Sequence, residues 1–321
     1  MDRRTFLVVA GMCGASAALA QTAGALRRVA VLRTPTLADS VRDIQELRDG
    51  FRERGLIEGR DFVFEIRSVE GRPEALPRVA AELAALNPAV FIVGGTVSTH
   101  AARAAAPTVP VVALIGDFSA AGWATEFGRP GAGVTGVSFL SSNLDPKRLE
   151  LLSELVPRGS AVLNLGDGSS RNVVQSAIDV AARSRGLVAH TTDARTVAEI
   201  ETAFETARKL RVAGINVLSS PFLHAHRKRI IELAANAKLP AIYQWPETAE
   251  DGGLMAYGAR LASLYRQMAG FAAKIVNGAR PGDLPIEQPT KFELVINVKT
   301  AKSLGLTIPQ SLLLRAHEVI Q

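Results

Sequence analysis

The sequence predicts an α/β protein of two Rossmann-like lobes, each built on a parallel sheet, joined by hinge strands. Three observations predict it. From Arg28 onward, short β-branched runs alternate with helix-length amphipathic stretches, the pattern of parallel strands linked by crossover helices. The alternation breaks near Val134 to Leu140 and then begins again, so the chain holds two similar halves. A chain of 321 residues is also long enough for two domains of ordinary size, each burying its own core.

The first half opens with a strand at Val29 to Arg33, which leads through Thr34-Pro35-Thr36 to a helix from about Ser40 to Arg54, ended by Gly55. A strand at Phe62 to Arg67, a helix from Pro73 to Leu86 and a strand at Ala89 to Val93 follow. Gly94-Gly95-Thr96 then leads into a helix reaching about Ala106, before a strand at Val111 to Ile115 and the apolar run Val134 to Leu140. The second half repeats the scheme: helix Pro146 to Val156, strand Ala161 to Leu165, helix Asn172 to Arg185, strand Leu187 to Thr191, helix Val197 to Leu210, strand Gly214 to Ser219, helix His226 to Ala237 and strand Ala241 to Tyr243. Beyond Asp251, strand Leu254 to Tyr257, helix Leu261 to Asn277, strand Phe292 to Asn297 and a terminal helical segment complete both sheets. The expected lobes are 27–138 with about 255–284, and 139–254 with about 285–321, with crossings near Val134 to Leu140, Leu254 and Pro285.

At the N-terminus, Arg3 and Arg4 precede the apolar run Phe6 to Ala20, and Ala18-Leu19-Ala20 has the small-x-small form of a signal-peptidase site. Residues 1–20 are therefore expected to be a signal peptide, with Gln21 opening the mature chain in the periplasm. The run falls short of the ~20 apolar residues that span a bilayer. Asp2-Arg3-Arg4-Thr5-Phe6-Leu7 fits the twin-arginine signal, and ordinary Sec export stays open beside it. Cys13 follows Ala10-Gly11-Met12, not the leucine-led triplet of a lipid-attachment site. It is the only cysteine, so the mature chain is expected to lack disulfides, a thiol nucleophile and cysteine metal sites.

The net charge of +6 is modest and dispersed. Its densest cluster, Arg227-Lys228-Arg229, opens a helix without interleaved aromatics, and aromatic residues make up only 5% of the chain, so nucleic acid is excluded as a partner. Gly131-Ala132-Gly133-Val134-Thr135-Gly136 matches the dinucleotide fingerprint but precedes an apolar strand-like run instead of a helix, and it reads as a hinge turn. His224 and His226 are two apart where the chain turns helical, a spacing that does not place two ligands on one helix face. No G-x-S-x-G elbow occurs. The expectation is a binding protein with no cofactor, no metal and no enzymatic activity.

Open parallel sheets bind ligands at the carboxyl ends of their strands. Those ends are small and polar here: Thr34-Pro35-Thr36, Gly94-Gly95-Thr96-Val97-Ser98, Gly116-Asp117, Asp167-Gly168-Ser169-Ser170 and Ser219-Ser220-Pro221-Phe222. Gly95, Thr96 and Ser98 at a helix start offer N–H groups and hydroxyls to a carboxylate, with plain N-capping as the alternative.

The chain resembles the ABC-transporter substrate-binding proteins of the type that includes tryptophan and tyrosine binders. The resemblance covers nearly the whole chain. It is carried by Arg3-Arg4-Thr5-Phe6, Arg129-Pro130-Gly131 through Val134-Thr135-Gly136-Val137, Lys147-Arg148-Leu149-Glu150-Leu151-Leu152, and Leu239-Pro240-Ala241-Ile242-Tyr243-Gln244-Trp245. Gly252-Gly253-Leu254-Met255-Ala256-Tyr257-Gly258 and Pro289-Thr290-Lys291-Phe292-Glu293-Leu294-Val295-Ile296-Asn297 complete it. It implies a periplasmic binding protein of the type I fold, a monomer that holds a small-molecule ligand between its lobes and signals closure to permease and ATPase subunits in the inner membrane. The implied ligand contacts are Thr34, Thr36, Gly95, Thr96, Ser98 and Asp117 from one lobe, with Asp167, Ser169, Phe222, Tyr243 and Tyr257 facing them.

Two positions depart from the family pattern. Leu165-Gly166-Asp167-Gly168 replaces an Asn-Pro-Asn-Asn-like loop, and Ser220-Pro221 replaces an Asp-Pro pair. An acidic side chain in the second lobe commonly balances a ligand ammonium, which leaves Asp167 as the substitute. The expected ligand is a small organic molecule, anionic or zwitterionic. A sensory receptor that uses the same closure is the second reading, and a dinucleotide enzyme the third.

Overall fold

The computed structural model describes residues 26–321 apart from 132, 140 and 170, so the expected signal peptide lies outside the described residues. In chain order the elements are β1 (Arg27–Arg33), α1 (Val41–Arg52), β2 (Phe62–Ser68), α2 (Leu76–Ala84), β3 (Val90–Gly94), α3 (Thr96–Ala105), β4 (Val111–Ile115) and β5 (Val134–Ser138). The chain then crosses to α4 (Ser141–Leu152), β6 (Ala161–Gly166), α5 (Arg171–Arg185), β7 (Val188–Asp193), α6 (Val197–Lys209), β8 (Gly214–Val217), α7 (Pro221–Ala225), α8 (Arg227–Asn236), β9 (Ala241–Tyr243), α9 (Pro246–Glu250) and β10 (Met255–Gly258). It returns for α10 (Leu261–Val276) and β11 (Ile286–Glu287), then crosses again for β12 (Glu293–Asn297), α11 (Val298–Ser303), α12 (Gln310–Leu313) and β13 (Glu318–Ile320).

The first sheet has the order β11-β5-β4-β3-β1-β2 with every pairing parallel, and the second β13-β12-β10-β9-β8-β6-β7, parallel except at β10 and β12. Central strands are apolar on both faces because helices cover both. In β1, Val29 and Val31 join one core with α1 and α10, while Ala30 and Leu32 join the core under α2 and α3. Amphipathic α1 turns Ile44, Leu47 and Phe51 inward, and it crosses α10 so closely that a Cβ on Gly50 would meet Ala269 Cβ at 2.5 Å.

Several elements differ from the sequence expectation. β10 pairs with β9 and β12, so 255–258 belong to the second sheet, and β11 pairs with β5, so 286–287 belong to the first. The lobe boundaries near 255 and 285 therefore shift by a few residues. A two-residue strand carries no readable alternation, so the sequence predicts no strand at 286–287 and leaves these residues at the start of the second-lobe segment. Helix α4 starts at Ser141, with Pro146 inside it. Proline normally marks a first turn, but here Asn216 Nδ2 donates to the Asp145 carbonyl at 3.2 Å and helps hold the preceding turn. The terminal segment adds β13, and α7 and α9 are further short helices.

Residues of the dinucleotide-like motif form the turn into β5. Gly136 sits at φ 142°, and a Cβ there would lie 2.0 Å from the Ala113 carbonyl oxygen, so this glycine serves the approach of β4 to β5. No helix among the described residues is long and apolar enough to cross a membrane.

Candidate functional site

In each sheet, the strand order reverses at one point, and the loops leaving the strands diverge there to open a crevice. In the first lobe that point lies between β1 and β3, whose following residues are Thr34 and Gly95 to Ser98. In the second it lies between β6 and β8, followed by Asp167 to Ser169 and Ser219 to Pro221. The two crevices face each other. A Cβ on Gly95 would fall 2.5 Å from Pro221 Cγ, across the lobes.

Three cavities with shared walls run inward from this meeting point. The outer one, about 370 Å³, lies between Pro73, Glu74 and Val97 on one side and Asp167, Ser169, Arg195 and Phe222 on the other. A throat of about 60 Å³ follows, lined by Thr34, Gly95, Thr96 and Ser98 against Asp167, Ser169, Pro221 and Phe222. An inner chamber of about 40 Å³ lies behind, among Arg33, Phe139, Tyr265, His224 and Trp245. The outer cavity alone falls in the size range of small-molecule sites, roughly 300–1,000 Å³.

Polar contacts between other residues also bridge the lobes. Lys228 Nζ donates to Asp39 Oδ1 at 2.7 Å, Arg227 Nη2 lies 3.5 Å from the same oxygen, and Arg42 Nη1 meets Glu250 Oε2 at 3.1 Å. His226 Nε2 lies 3.2 Å from the Gly71 carbonyl oxygen. The lobes are thus drawn together.

Seven of the expected contact residues come together on the cavity walls: Thr34, Gly95, Thr96, Ser98, Asp167, Ser169 and Phe222. Four stand elsewhere. The Thr36 hydroxyl donates to Asp39 Oδ2 at 2.8 Å in the turn before α1. Asp117 Oδ1 accepts from the Ala120 N–H at 3.0 Å and caps a turn after β4. Tyr243 is 2% exposed in the second lobe's core, where burial raises its phenol. Tyr257 packs beside Phe292 near the crossing, with its carbonyl accepting from Arg148 Nη1 at 2.9 Å. Strand pleating turns neighbouring residues to opposite faces, and Tyr243 points into the core.

Asp167 is held in place by its neighbours. Its Oδ1 accepts from the Ser169 N–H at 2.9 Å and from the Ser169 hydroxyl at 2.5 Å, while its Oδ2 accepts from the Ser220 hydroxyl at 2.5 Å. The carboxylate therefore stands directly against Ser220. Ser220 in turn accepts from the Leu223 N–H at 3.1 Å and caps α7.

Beneath β8, a buried polar network fixes this loop. Arg148, fully buried, pairs with Asp145 and donates to Ser219 Oγ at 2.8 Å, and the Ser219 hydroxyl donates to Asp145 Oδ1 at 3.1 Å. Burial raises Asp145, and attraction to Arg148 offsets part of that rise.

Sequence reasoning missed Arg33, Pro73, Glu74, Val97, Arg195, Pro221, His224 and Trp245 as wall residues. Trp245 follows the carboxyl end of β9 after one intervening residue, so the strand-end rule already contained it. His224 was legible only as an improbable metal ligand. It is 8% exposed, and burial, together with the Arg227 and Arg33 guanidiniums, holds its imidazole well below the usual histidine range. Among the described residues, no group of three or more His, Cys, Asp or Glu is placed to hold a metal ion.

Residues 29–320 match the family described as ABC transporter substrate binding protein. A tyrosine-binding protein of Clostridioides difficile is 24% identical over 262 residues, covering 79% of this chain and 74% of that protein. A crystal structure of a conserved domain protein from Vibrio cholerae superimposes with a TM-score of 0.83 at 25% identity, covering 91% of this chain and 99% of the other. The ABC domain in complex with L-Trp from Streptococcus pneumoniae has the same fold, with a TM-score of 0.82 at 23% identity and coverage of 92% and 100%. With nearly its whole length matched, the chain belongs to the ABC transporter substrate-binding protein family.

Proposed function

We propose that this protein is the periplasmic receptor of an ABC importer, exported by the signal peptide at residues 1–20. It closes as a monomer on a small anionic or zwitterionic ligand and presents the closed form to permease and ATPase subunits in the inner membrane. The observation that carries this reading is the facing of the two switch-point crevices, Thr34 and Gly95 against Asp167 and Pro221. A ligand that touches both lobes binds the closed state better and shifts the population toward it.

Within the cleft, the roles follow from chemistry. The first turn of α3 leaves backbone N–H groups without helical partners, and Thr96 and Ser98 stand beside them, a favourable place for a ligand carboxylate. Asp167 supplies the acceptor for a ligand ammonium in place of the family's usual acid at position 220. An amino-acid-like ligand is supported by the tyrosine-binding relative and the L-Trp complex. Nothing in the cleft is assigned a catalytic step or a cofactor.

Thermal unfolding of the purified chain against amino acids, aromatic acids, dicarboxylates, sugars and NAD tests the reading. Ligand at one hundred times its dissociation constant adds about 2.7 kcal/mol to stability. A selective rise with one small-molecule class is expected. No rise with any compound, or a rise with NAD alone, overturns it.

A further inference from the structure

The outer cavity carries two charges that the throat does not use. Glu74 stands on its first-lobe wall and Arg195 on its second-lobe wall, and neither takes part in an ion pair among the described residues. Arg195 is nonetheless held in position. Its Nε donates to the Asp167 carbonyl at 3.1 Å, and its Nη2 lies over Gly168, where a Cβ would fall 2.7 Å away. Asp193 and Glu199 lie near it without forming an ion pair, and Glu199 accepts instead from the Arg195 and Thr196 N–H groups at 2.6 and 3.1 Å. The terminal nitrogens of Arg195 donate to no acceptor among the described residues. Asp167 therefore turns its carbonyl to Arg195 while its carboxylate serves Ser169 and Ser220. Pro73, Val97 and Phe222 supply apolar wall, with Val97 52% exposed.

We propose that the outer cavity receives a second zwitterionic head group, its carboxylate on Arg195 and its ammonium on Glu74, so that the ligand is a diamino dicarboxylic acid. The inference rests on the cleft being the ligand site and on the throat holding the first head group. Volume supports the division. At about 60 Å³, against ~10–15 Å³ for one water-sized probe, the throat has room for the few heavy atoms of one amino-acid head. The rest of the ligand lies in the outer cavity of about 370 Å³, with its short methylene chain against Val97 and Phe222. Charge selects the far end. An acid alone leaves Glu74 facing an anion, and an amine alone leaves Arg195 facing a cation. A zwitterion answers both, and because the two residues stand on different lobes it also favours the closed form.

Four probes of similar length separate the contributions in calorimetric titrations at low salt. 2,6-Diaminopimelate carries both far groups, lysine lacks the far carboxylate, 2-aminopimelate lacks the far ammonium, and norleucine lacks both. Diaminopimelate is expected to bind at least about tenfold more tightly than norleucine, with the other two between them, since hydrogen bonds to charged groups discriminate on this scale. Added salt should shrink the advantage. Arg195→Gln brings diaminopimelate down to lysine, and Glu74→Gln brings it down to 2-aminopimelate. Both side chains are exposed, and ligand-free melting temperatures equal to wild type show that the variants fold. The inference is overturned if diaminopimelate binds no more tightly than norleucine, or if Arg195→Gln weakens both equally, because the single head group would then sit at Arg195. Either result spares the cleft as the ligand site. If none of the four binds, the inference falls, and the melting screen decides the cleft reading by itself.

Discussion

Gly95 and Pro221 meet across the two lobes, and the meeting depends on the absence of a side chain: Gly95 sits at φ 90°, and a Cβ there would lie 2.5 Å from Pro221 Cγ. Gly95→Ala therefore carries two separable costs. The backbone strain is about 1–3 kcal/mol and acts in any state that keeps this φ. The clash acts only when the lobes close. The expected outcome is a lowered melting temperature together with a loss of ligand-induced compaction in small-angle scattering. In Gly95→Ala/Pro221→Ala, the compaction returns while the melting temperature stays low. Full compaction in the single variant would refute the contact as part of closure.

Asp39 collects positive charge from the other lobe, from Lys228 and Arg227. Burial pushes its carboxyl up, but the hydrogen bonds from Lys228 and Thr36, with the Arg227 guanidinium nearby, outweigh burial and hold it below the usual range. Lys228 is 71% exposed on its side chain, so water and salt screen its share. Asp39→Asn is expected to weaken ligand affinity about two- to tenfold by favouring the open form, while Lys228→Ala stays within about twofold. Calorimetric titration at two salt concentrations checks both. An Asp39→Asn affinity equal to wild type would place the ion pairs outside the closing equilibrium.

Much of this site was legible because it sits where strand ends must lie. Thr34, Gly95, Asp167 and Ser169 follow β1, β3 and β6, and alternation located those strands to within a residue or two. Tyr243 and Tyr257 were harder. Both are strand residues near the right ends, but facing depends on register, and period-two alternation does not say which face is the cleft in a strand apolar on both sides. Arg33 and His224 lay beyond reach because their placement depends on partners far away in sequence, such as Tyr265 for Arg33. The crossings were found to within a few residues, yet β10 and β11 changed lobes because strand pairing across a hinge leaves little signal in a two- to four-residue segment.

Removing one member of the buried pair beneath β8 should cost far more than removing a surface pair. Asp145 and Arg148 are both fully buried, and each alone would be an uncompensated charge. Asp145→Ala is expected to destabilise the chain by about 3–5 kcal/mol, whereas Asp145→Ala/Arg148→Met loses distinctly less because no charge is stranded. Urea denaturation separates the two through its midpoints. Equal losses in the single and double variants would show that packing, not charge, dominates at this position.

Glu247 makes stability depend on pH. It stands in the first turn of α9, and its Oε1 accepts from the Ala262 N–H at 3.4 Å, so a second-lobe carboxyl caps the first lobe's α10. Its Oε2 is shut off from solvent without a partner. Burial is the main cause that pushes it up to about 7 from an ordinary 4.5; repulsion from Glu250 adds to this, while backbone N–H bonds and Arg260 offset part. Between those two values the folded chain binds a proton that the unfolded chain has released. Stability therefore falls as pH rises from about 4.5 to about 7 and stays lower above. Glu247→Gln cannot ionise and escapes that loss. It should match wild type near pH 4 and exceed it by about 1–3 kcal/mol near pH 8. Denaturation of both proteins across this range gives the difference, in which the other titrating groups cancel. Parallel profiles would mean that Glu247 ionises with little penalty in the folded chain, and an advantage for the glutamine at low pH would mean that its amide satisfies the site better than the protonated acid.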